Sequence, residues 1–191
     1  MPSRRPKQHL RDRSLEAELK FRLGGAADHA RLRARLRELH AVSEGAYDEE
    51  NIRFVVPAKC RVSLRLRVID GSRGGILTTK GPARYVRGIK VREETEVAVA
   101  DAAPARDLLE SLGFPIDFTY HKHRASFVVD SVTVTLDTLD FGFFSELEGP
   151  IEAIPAVAAK LGLNPKQSIR ESYSAMAREH LAQGRKVVAR A

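Results

Sequence analysis

The sequence predicts one α+β domain built around an antiparallel sheet of about eight strands, with helices packed on it. Three observations lead to this prediction. Apolar and charged residues alternate with a period of two in many segments, which is typical of strands with one buried face. Other segments carry apolar residues at helical spacing. The 191 residues contain no repeat and no linker-like stretch, and this length suits one domain with a sizeable core.

The first predicted strand, SLEAELKFRL at 14–23, alternates without exception from Leu15 to Leu23. A strand that faces only solvent usually carries mixed polar residues, whereas this one is charged at every second position. The charged residues are Glu16, Glu18, Lys20 and Arg22. The pattern raises the question of whether this face meets bulk water or a charged ligand.

The remaining strands follow in chain order, and several are separated by turn-forming residues. They are predicted at 51–58, 61–69, 76–82, 84–100, 117–130, 132–139 and 143–149. Pro57 indicates an edge or an exit of its strand, because proline cannot donate a hydrogen bond to a sheet. The segment DGSRGG at 70–75 and the pair Asp130 and Ser131 are typical of hairpin turns.

Four segments are predicted to be helical, at 26–41, 103–114, 151–163 and 168–182. Asp28 can cap the first of them. In the last, Ser168 and Glu171 form a capping-box pattern. Tyr173 and Met176 of the same segment lie at helical spacing and are predicted to belong to the core.

Composition narrows the class of protein. Hydrophobic residues make up 43% of the chain, which argues against a disordered polymer, and a net charge of +7 favours an anionic partner. The single cysteine, Cys60, rules out an internal disulfide and favours a reducing compartment. No apolar run approaches the roughly 18 residues of a membrane span, and residues 1–13 lack the apolar block of a signal peptide. We therefore expect a soluble cytoplasmic protein, not bound to a membrane, with a disordered basic tail at 1–13.

Charged residues at period two recur on most of the predicted strands, where both members of a pair leave the strand on one side. They are Glu16, Glu18 and Lys20; Arg65 and Arg67; Lys80; Arg92, Glu94 and Glu96; Lys122 and Arg124; Asp137; and Glu146 and Glu148. Like charges that face one another across strands destabilise a sheet. The arrangement creates a polyanion site if the sheet closes into a barrel with this face inward. Carboxylates beside many cations indicate a hard divalent metal shared with phosphate, and arginine pairs match phosphate oxygens.

The alternative interpretation is that each strand merely has a charged outer face. This holds well for any one strand, whereas the same feature on several strands favours a common site. Nucleic-acid binding is less favoured, because carboxylates interleave with the cations and no aromatic stacking platform accompanies them. His121 and His123 have the opposite phase to Lys122 and Arg124, which predicts a surface position for both histidines.

Together these segments resemble the CYTH superfamily, also called triphosphate tunnel metalloenzymes. Glu16-Ala-Glu18-Leu-Lys20 is similar to the E-x-E-x-K signature of that family. Further similar segments follow in order: LRLR at 64–67, LTTKGP at 77–82, REETE at 92–96, KHR at 122–124, TLD at 135–137 and GFFSELEG at 142–149. The resemblance spans roughly residues 14–176 and is greatest to the branch with class IV adenylate cyclases and thiamine-triphosphatase-like proteins. Residues 47–54 match the family only loosely.

The resemblance implies a closed, eight-stranded antiparallel β-barrel, or triphosphate tunnel, with helices packed on the outside. It implies a single CYTH domain at 14–183, followed by a tail at 184–191. The implied ligands of Mg²⁺ or Mn²⁺ are Glu16, Glu18, Asp137, Glu146 and Glu148. The residues implied to bind the triphosphate are Lys20, Arg65, Arg67, Lys80, Arg92, Lys122 and Arg124, with Lys20, Glu18 and Glu148 as catalytic residues. The expected partner is a small molecule that contains a triphosphate, and a homodimer is compatible with the family.

Two reactions stay open at this point. If water is the nucleophile, the products are a diphosphate compound and phosphate. If the 3′-hydroxyl of bound ATP attacks the α-phosphorus, the products are cyclic AMP and pyrophosphate, as in a class IV adenylate cyclase. The tunnel charges serve either reaction. The sequence favours a metal-dependent triphosphate hydrolase, with the cyclase as the alternative and a non-catalytic polyphosphate-binding module as a third hypothesis.

Overall fold

The structure, a computed structural model, describes residues 14–184, so the tail predicted at 1–13 and all but the first residue of the tail predicted at 184–191 lie outside the described residues. Within that range the strands are β1 Ser14–Leu23, β2 Val42–Phe54, β3 Ser63–Ile69, β4 Gly75–Lys80, β5 Arg84–Val86, β6 Ile89–Val99, β7 Ile116–Val129, β8 Val132–Leu139 and β9 Gly142–Glu148. The α-helices are α1 Ala26–Glu38, α2 Ala102–Ser111, α3 Ile154–Lys160 and α4 Tyr173–Ala182.

Eight of the strands form a closed antiparallel barrel. Their order is β1-β9-β8-β7-β2-β3-β4-β6, and the pairing of β6 with β1 closes the ring. The short strand β5 pairs with β6 outside this ring. The predicted α+β class and closed eight-stranded barrel are therefore confirmed.

Many apolar residues of the strands point outward, toward the helices. Ala17, Leu19 and Phe21 of β1 belong to a cluster with Leu36 of α1 and Val157 of α3. Burial of a large aliphatic side chain stabilises a protein by about 1.5–3 kcal/mol, so these contacts hold the helices on the barrel. Most of the core lies between the barrel and the helices, while Tyr120 and Phe144 pack against Tyr173 and Met176 of α4. The charged faces are left for the interior.

Two strand predictions were wrong in their limits. Of the strand predicted at 51–58, only residues 51–54 are a strand, and they form the end of β2, which begins at Val42. The pairing of β2 with β7 shifts register between Ser43 and Gly45, and this bulge breaks the alternating pattern in the sequence. The strand predicted at 84–100 is two strands, because Arg87 and Gly88 both have positive φ angles and reverse the chain.

Two predicted helix caps were also wrong. Asp28 lies in the first turn of α1 and accepts a hydrogen bond from the backbone N–H of Gly24 at 2.8 Å, while the N-cap residue is Gly25. The last helix starts only at Tyr173, and Ser172 caps it by accepting from the Ala175 N–H at 3.1 Å.

The segment just before α4 is extended and crosses β1. The backbone N–H of Ile169 donates to the carbonyl of Lys20 at 2.8 Å, and the Lys20 Nζ donates to the carbonyl of Glu171 at 3.0 Å. These bonds fix the start of α4 against the barrel. None of the helices between residues 14 and 184 is long and apolar enough to cross a membrane.

Candidate active site

The inward faces of the strands and the start of α4 enclose a cavity, and none of its lining residues between 14 and 184 has an aliphatic side chain. The lining consists of Glu16, Glu18, Lys20, Arg53, Ser63, Arg65, Arg67, Thr78, Lys80, Arg92, Glu94, Glu96, Tyr120, Lys122, Arg124, Glu146, Glu148, Ser172, Tyr173 and Ser174. Every residue predicted for the site lines this cavity except Asp137. The charged face of β1 therefore looks into the barrel, which answers the question raised by its sequence.

β1 and β9 bring predicted metal ligands and a predicted catalytic lysine face to face. Glu18 lies opposite Glu148, and Lys20 lies opposite Glu146. Lys20 Nζ is 3.2 Å from Glu146 Oε1. Burial acts to lower the pKa of Lys20, but the carboxylates of Glu146 and Glu18 outweigh it and raise the pKa above its ordinary value. Lys20 is therefore a fixed positive charge among carboxylates.

Among the carboxylates that line the cavity, Glu148 alone forms no ion pair with a cation in residues 14–184. It ends β9, and part of its side chain is exposed. Partial burial and the nearby carboxylates of Glu16 and Glu146 raise its pKa to about 7, although Lys80 acts in the opposite direction. The negative charge at this position is thus short of a positive partner.

Glu16 is held by two cations from neighbouring strands. Lys80 Nζ donates to its Oε1 at 2.7 Å, and Arg92 Nε donates to its Oε2 at 2.9 Å. Burial acts to raise the pKa of Glu16, but Lys80 and Arg92 outweigh it and lower the pKa to about 2. Glu94 Oε2 lies 3.0 Å from the Nζ of the same Lys80. Burial raises the pKa of Glu94 to about 7, and the nearby carboxylate of Glu16 contributes to this increase.

Asp137 lies behind the cavity wall, fully buried. Arg124 donates to both of its carboxylate oxygens, at 2.7 and 2.6 Å, and the Tyr173 hydroxyl donates to Oδ2 at 2.7 Å. The same Arg124 Nη2 donates to Glu146 Oε2 at 2.5 Å. In this position Asp137 orients Arg124, and the metal role implied for it stays a prediction.

Sequence reasoning missed Glu49, a carboxylate from the inward face of β2 with 1% of its surface exposed. Its Oε2 lies 3.0 Å from Lys122 Nζ and 3.2 Å from Arg67 Nε. Burial acts to raise the pKa of Glu49, but Lys122 and Arg67 lower it to about 2. Glu49 therefore holds two of the predicted phosphate ligands, and period-two spacing with Asn51 and Arg53 was the signal that could have found it.

Further residues of the site were missed, among them Lys90 and Tyr173. Lys90 Nζ donates to Glu18 Oε1 at 2.7 Å, so this carboxylate is paired with a cation from β6. Tyr173 is buried, as predicted, but it also lines the cavity: Lys20 Nζ lies 4.1 Å from the centre of its ring. His121 and His123 are exposed and do not line the cavity, as predicted.

A divalent metal fits the chemistry of the carboxylates that line the cavity. Glu16, Glu18, Glu146 and Glu148 supply hard oxygen donors of the kind that Mg²⁺ and Mn²⁺ prefer. The carboxylate of Glu148 has no cationic partner in the described chain and faces Glu18 across the sheet. Between residues 14 and 184, however, no three carboxylate, histidine or cysteine side chains converge closely enough to form a ready-made metal site.

Comparison with known proteins agrees with this fold. The PH1819 protein of Pyrococcus horikoshii OT3 is 28% identical, with a TM-score of 0.69 over 86% of this chain and 98% of its own. The PH1012 protein of the same organism is 25% identical, with a TM-score of 0.71 over 83% of this chain and 96% of its own. HpAC1 from Hippeastrum, a candidate adenylyl cyclase described as having a dominant triphosphatase activity, is 18% identical, with a TM-score of 0.64 over 91% of this chain and 98% of its own. A comparison with curated proteins finds no significant match.

The family follows from the sequence itself. The profile of the CYTH domain matches residues 14–173, which include every strand of the barrel and the first residue of α4. This range contains all the residues predicted for the site. The chain belongs to the CYTH domain family.

Proposed function

We propose that this protein is a metal-dependent hydrolase of a triphosphate bound lengthwise in the barrel. The observation that carries this proposal is the composition of the cavity wall, where seven predicted phosphate-binding cations and four predicted metal-binding carboxylates line one closed space. A triphosphate with a divalent metal ion brings negative charge for the cations of this wall and positive charge for its carboxylates.

The cations are held in place before any substrate enters. Arg124 is fixed by Asp137 and Glu146, and Arg67 and Lys122 are fixed by Glu49. Hydrogen bonds between charged donors and phosphate oxygens are short and strong, and arginine can make two of them at once. Phosphoryl transfer depends mostly on such positioning and on neutralisation of charge.

Glu16, Glu18, Glu146 and Glu148 would hold Mg²⁺ or Mn²⁺, which when bound supplies positive charge to the phosphates and makes water a better nucleophile. Lys20 keeps its proton, because Glu146 and Glu18 raise its pKa, and so it stabilises negative charge on the reacting phosphate. The backbone carbonyl of Glu171 and the ring of Tyr173 hold the Lys20 ammonium group in position. Glu148 can accept a hydrogen bond from the attacking water.

Two observations favour hydrolysis over cyclisation. A nucleobase site usually has an apolar or aromatic wall, whereas this lining contains only two aromatic rings, those of Tyr120 and Tyr173. Lys20 covers the ring of Tyr173, and Tyr120 is 5% exposed. The similarity to HpAC1, for which triphosphatase activity is described as dominant, supports the same choice.

Chromatography of the products from ATP, thiamine triphosphate and tripolyphosphate with Mn²⁺ tests the proposal. We expect phosphate and the corresponding diphosphate compounds. Cyclic AMP and pyrophosphate as the main products of ATP would establish the cyclase instead. Binding of all three without turnover would establish the non-catalytic module.

A further inference from the structure

The four carboxylates proposed to hold the metal differ in how many of their oxygens are already used. Both oxygens of Glu16 and both of Glu146 are bound by lysine or arginine side chains. Within residues 14–184, Glu18 accepts a hydrogen bond through Oε1 only, and Glu148 through neither oxygen. The oxygens left free therefore belong to Glu18 and Glu148, which lie directly opposite each other in the register of β1 and β9.

Lys90 of β6 is the partner of the one oxygen that Glu18 uses. The two residues are paired across β1 and β6, and Lys90 Nζ donates to Glu18 Oε1 at 2.7 Å. In the described chain this is the only hydrogen bond of the Lys90 ammonium group, and none reaches Oε2 of Glu18. The carboxylate of Glu18 is thus held by a single oxygen.

Lys90 reaches Glu18 from the side away from the cavity. Glu18 lines the cavity, whereas Lys90 lines a small separate recess on the other side of Glu18. Tyr85 of β5 and Arg170, just before α4, form opposite walls of this recess, and the Arg170 guanidinium lies 4.6 Å from the centre of the Tyr85 ring. Lys90 is only 7% exposed. It therefore contacts Glu18 without standing in the space that a ligand enters.

This placement favours a role in orientation over a role in stability or in phosphate binding. The attraction within a buried ion pair offsets little more than the cost of taking both charges out of water. A lysine outside the cavity is also badly placed to contact phosphate. Groups that bond to a metal ligand from behind, in contrast, fix the direction of that ligand, and their loss weakens metal binding by roughly 10- to 100-fold.

We propose that Lys90 is a positioning residue that holds Glu18 by Oε1 and so leaves Oε2 as the oxygen that Glu18 offers to a divalent metal. The inference rests on the proposed function, in which Glu18 is one of the metal ligands. Without Lys90, the other cation of residues 14–184 within 4.0 Å of Glu18 is Arg92, whose Nη2 lies at that distance from Oε1. Glu18 would then be free to turn toward Arg92 and away from the metal.

The test measures Mn²⁺ affinity by calorimetry, without substrate, for wild type, Lys90→Met and Lys90→Arg. We expect Lys90→Met to weaken Mn²⁺ binding about tenfold and Lys90→Arg, which keeps a charged donor, to restore most of the affinity. In a Glu18→Gln background, Lys90→Met should have no further effect. Two controls each remove an exposed cation and should bind Mn²⁺ as wild type does: Arg84→Gln on β5, outside the barrel, and Lys160→Met, whose Nζ lies 2.8 Å from Asp130 Oδ2.

The outcomes separate the role of Lys90 from the proposed function. If wild type binds no Mn²⁺, the metal-dependent function fails, and the role of Lys90 fails with it. If wild type binds Mn²⁺ and folded Lys90→Met binds it equally well, only the positioning role is wrong, and a lower melting temperature would then show that Lys90 is merely structural. Tighter binding by Lys90→Met would show that Lys90 competes with the metal, which also contradicts the proposal.

A milder variant keeps the test open if Lys90→Met does not fold. Lys90→Gln retains an N–H donor but loses the charge, so it should fold and bind Mn²⁺ more weakly than wild type. Unchanged Mn²⁺ affinity in Lys90→Gln would overturn the positioning role.

Discussion

Arg124 and Asp137 form a two-point ion pair inside the barrel, with Nε to Oδ1 at 2.7 Å and Nη2 to Oδ2 at 2.6 Å. Asp137 is fully buried, and both of its oxygens are used by this pair and by Tyr173. The guanidinium group is thereby fixed in orientation before a substrate arrives. A cavity with many cations can be prepared for phosphate only if its arginines and lysines do not turn toward solvent.

Asp137→Asn tests this positioning role. We expect a loss of about 3–5 kcal/mol in the free energy of unfolding, because removal of one charge leaves Arg124 buried without its main partner. Tripolyphosphate affinity should fall at least tenfold. Denaturant unfolding and calorimetry measure the two effects, with Asp140→Asn, an exposed residue of the β8–β9 turn, as the control. Unchanged stability of Asp137→Asn would show that the pair is not needed to hold Arg124.

Glu49 and Lys122 should be energetically coupled. Glu49→Gln removes the carboxylate shared by Lys122 and Arg67 and should cost about 3–5 kcal/mol of stability, whereas Lys122→Met leaves Glu49 paired with Arg67 and should cost less. The double variant should cost clearly less than the sum of the two. A double-mutant cycle in urea measures the coupling, and additive effects would show that the contact at 3.0 Å contributes little.

Metal with triphosphate should stabilise the protein through the carboxylates of β1 and β9. At a ligand concentration of about 100 times the Kd, the gain is about 2.7 kcal/mol, which raises the melting temperature by several degrees. Glu18→Gln or Glu148→Gln should remove most of the metal-dependent part of this shift. Glu93→Gln, an exposed neighbour of Glu94 on β6, is the matched control. Equal metal-dependent shifts in all four proteins would argue against these ligands.

The metal-free protein should show a pH dependence of stability to which Glu148 and Glu94 contribute, because the pKa of each is raised to about 7. The pKa of Glu148 is about 7 in the folded protein against an ordinary value of 4.5, so its protonated form is favoured by folding. The contribution to stability is complete below pH 4.5 and is lost as the pH rises toward 7. Glu148→Gln mimics the protonated state. Its melting temperature in EDTA should match that of wild type near pH 4.5 and exceed it increasingly up to pH 7. A constant difference across this range would contradict the shift.

The parts of the site that lie on regular, unbroken strands could be predicted from the sequence. Glu16, Glu18 and Lys20 are visible because the period of two in β1 is uninterrupted and its outer face is wholly apolar. Because the motifs resemble a known family, the closure of the sheet could be predicted as well. The local pattern alone did not decide whether Glu16, Glu18 and Lys20 face inward. Their inward direction followed from the closure of the sheet.

The missed residues depend on irregular backbone or on distant pairing. Glu49 lies on β2, where the bulge at Gly45 breaks the alternation and the strand prediction began too late. The contact of Lys90 with Glu18 exists only because β6 pairs with β1, and no local pattern encodes that pairing. Likewise, the sequence places Asp137 among inward-facing residues, but only the packing of Tyr173 against it shows that it lies behind Arg124.

The most direct test of the account is phosphate release from tripolyphosphate as Mn²⁺ is added to metal-free wild-type protein. We expect no turnover in EDTA, turnover that rises with Mn²⁺ and saturates, and a fall of at least a hundredfold in kcat/KM for Glu18→Gln, since one charged group in such a site is worth several kcal/mol. Arg84→Gln should behave as wild type. Full turnover in EDTA, or equal activity in Glu18→Gln, would contradict a metal-dependent triphosphate hydrolase in this barrel.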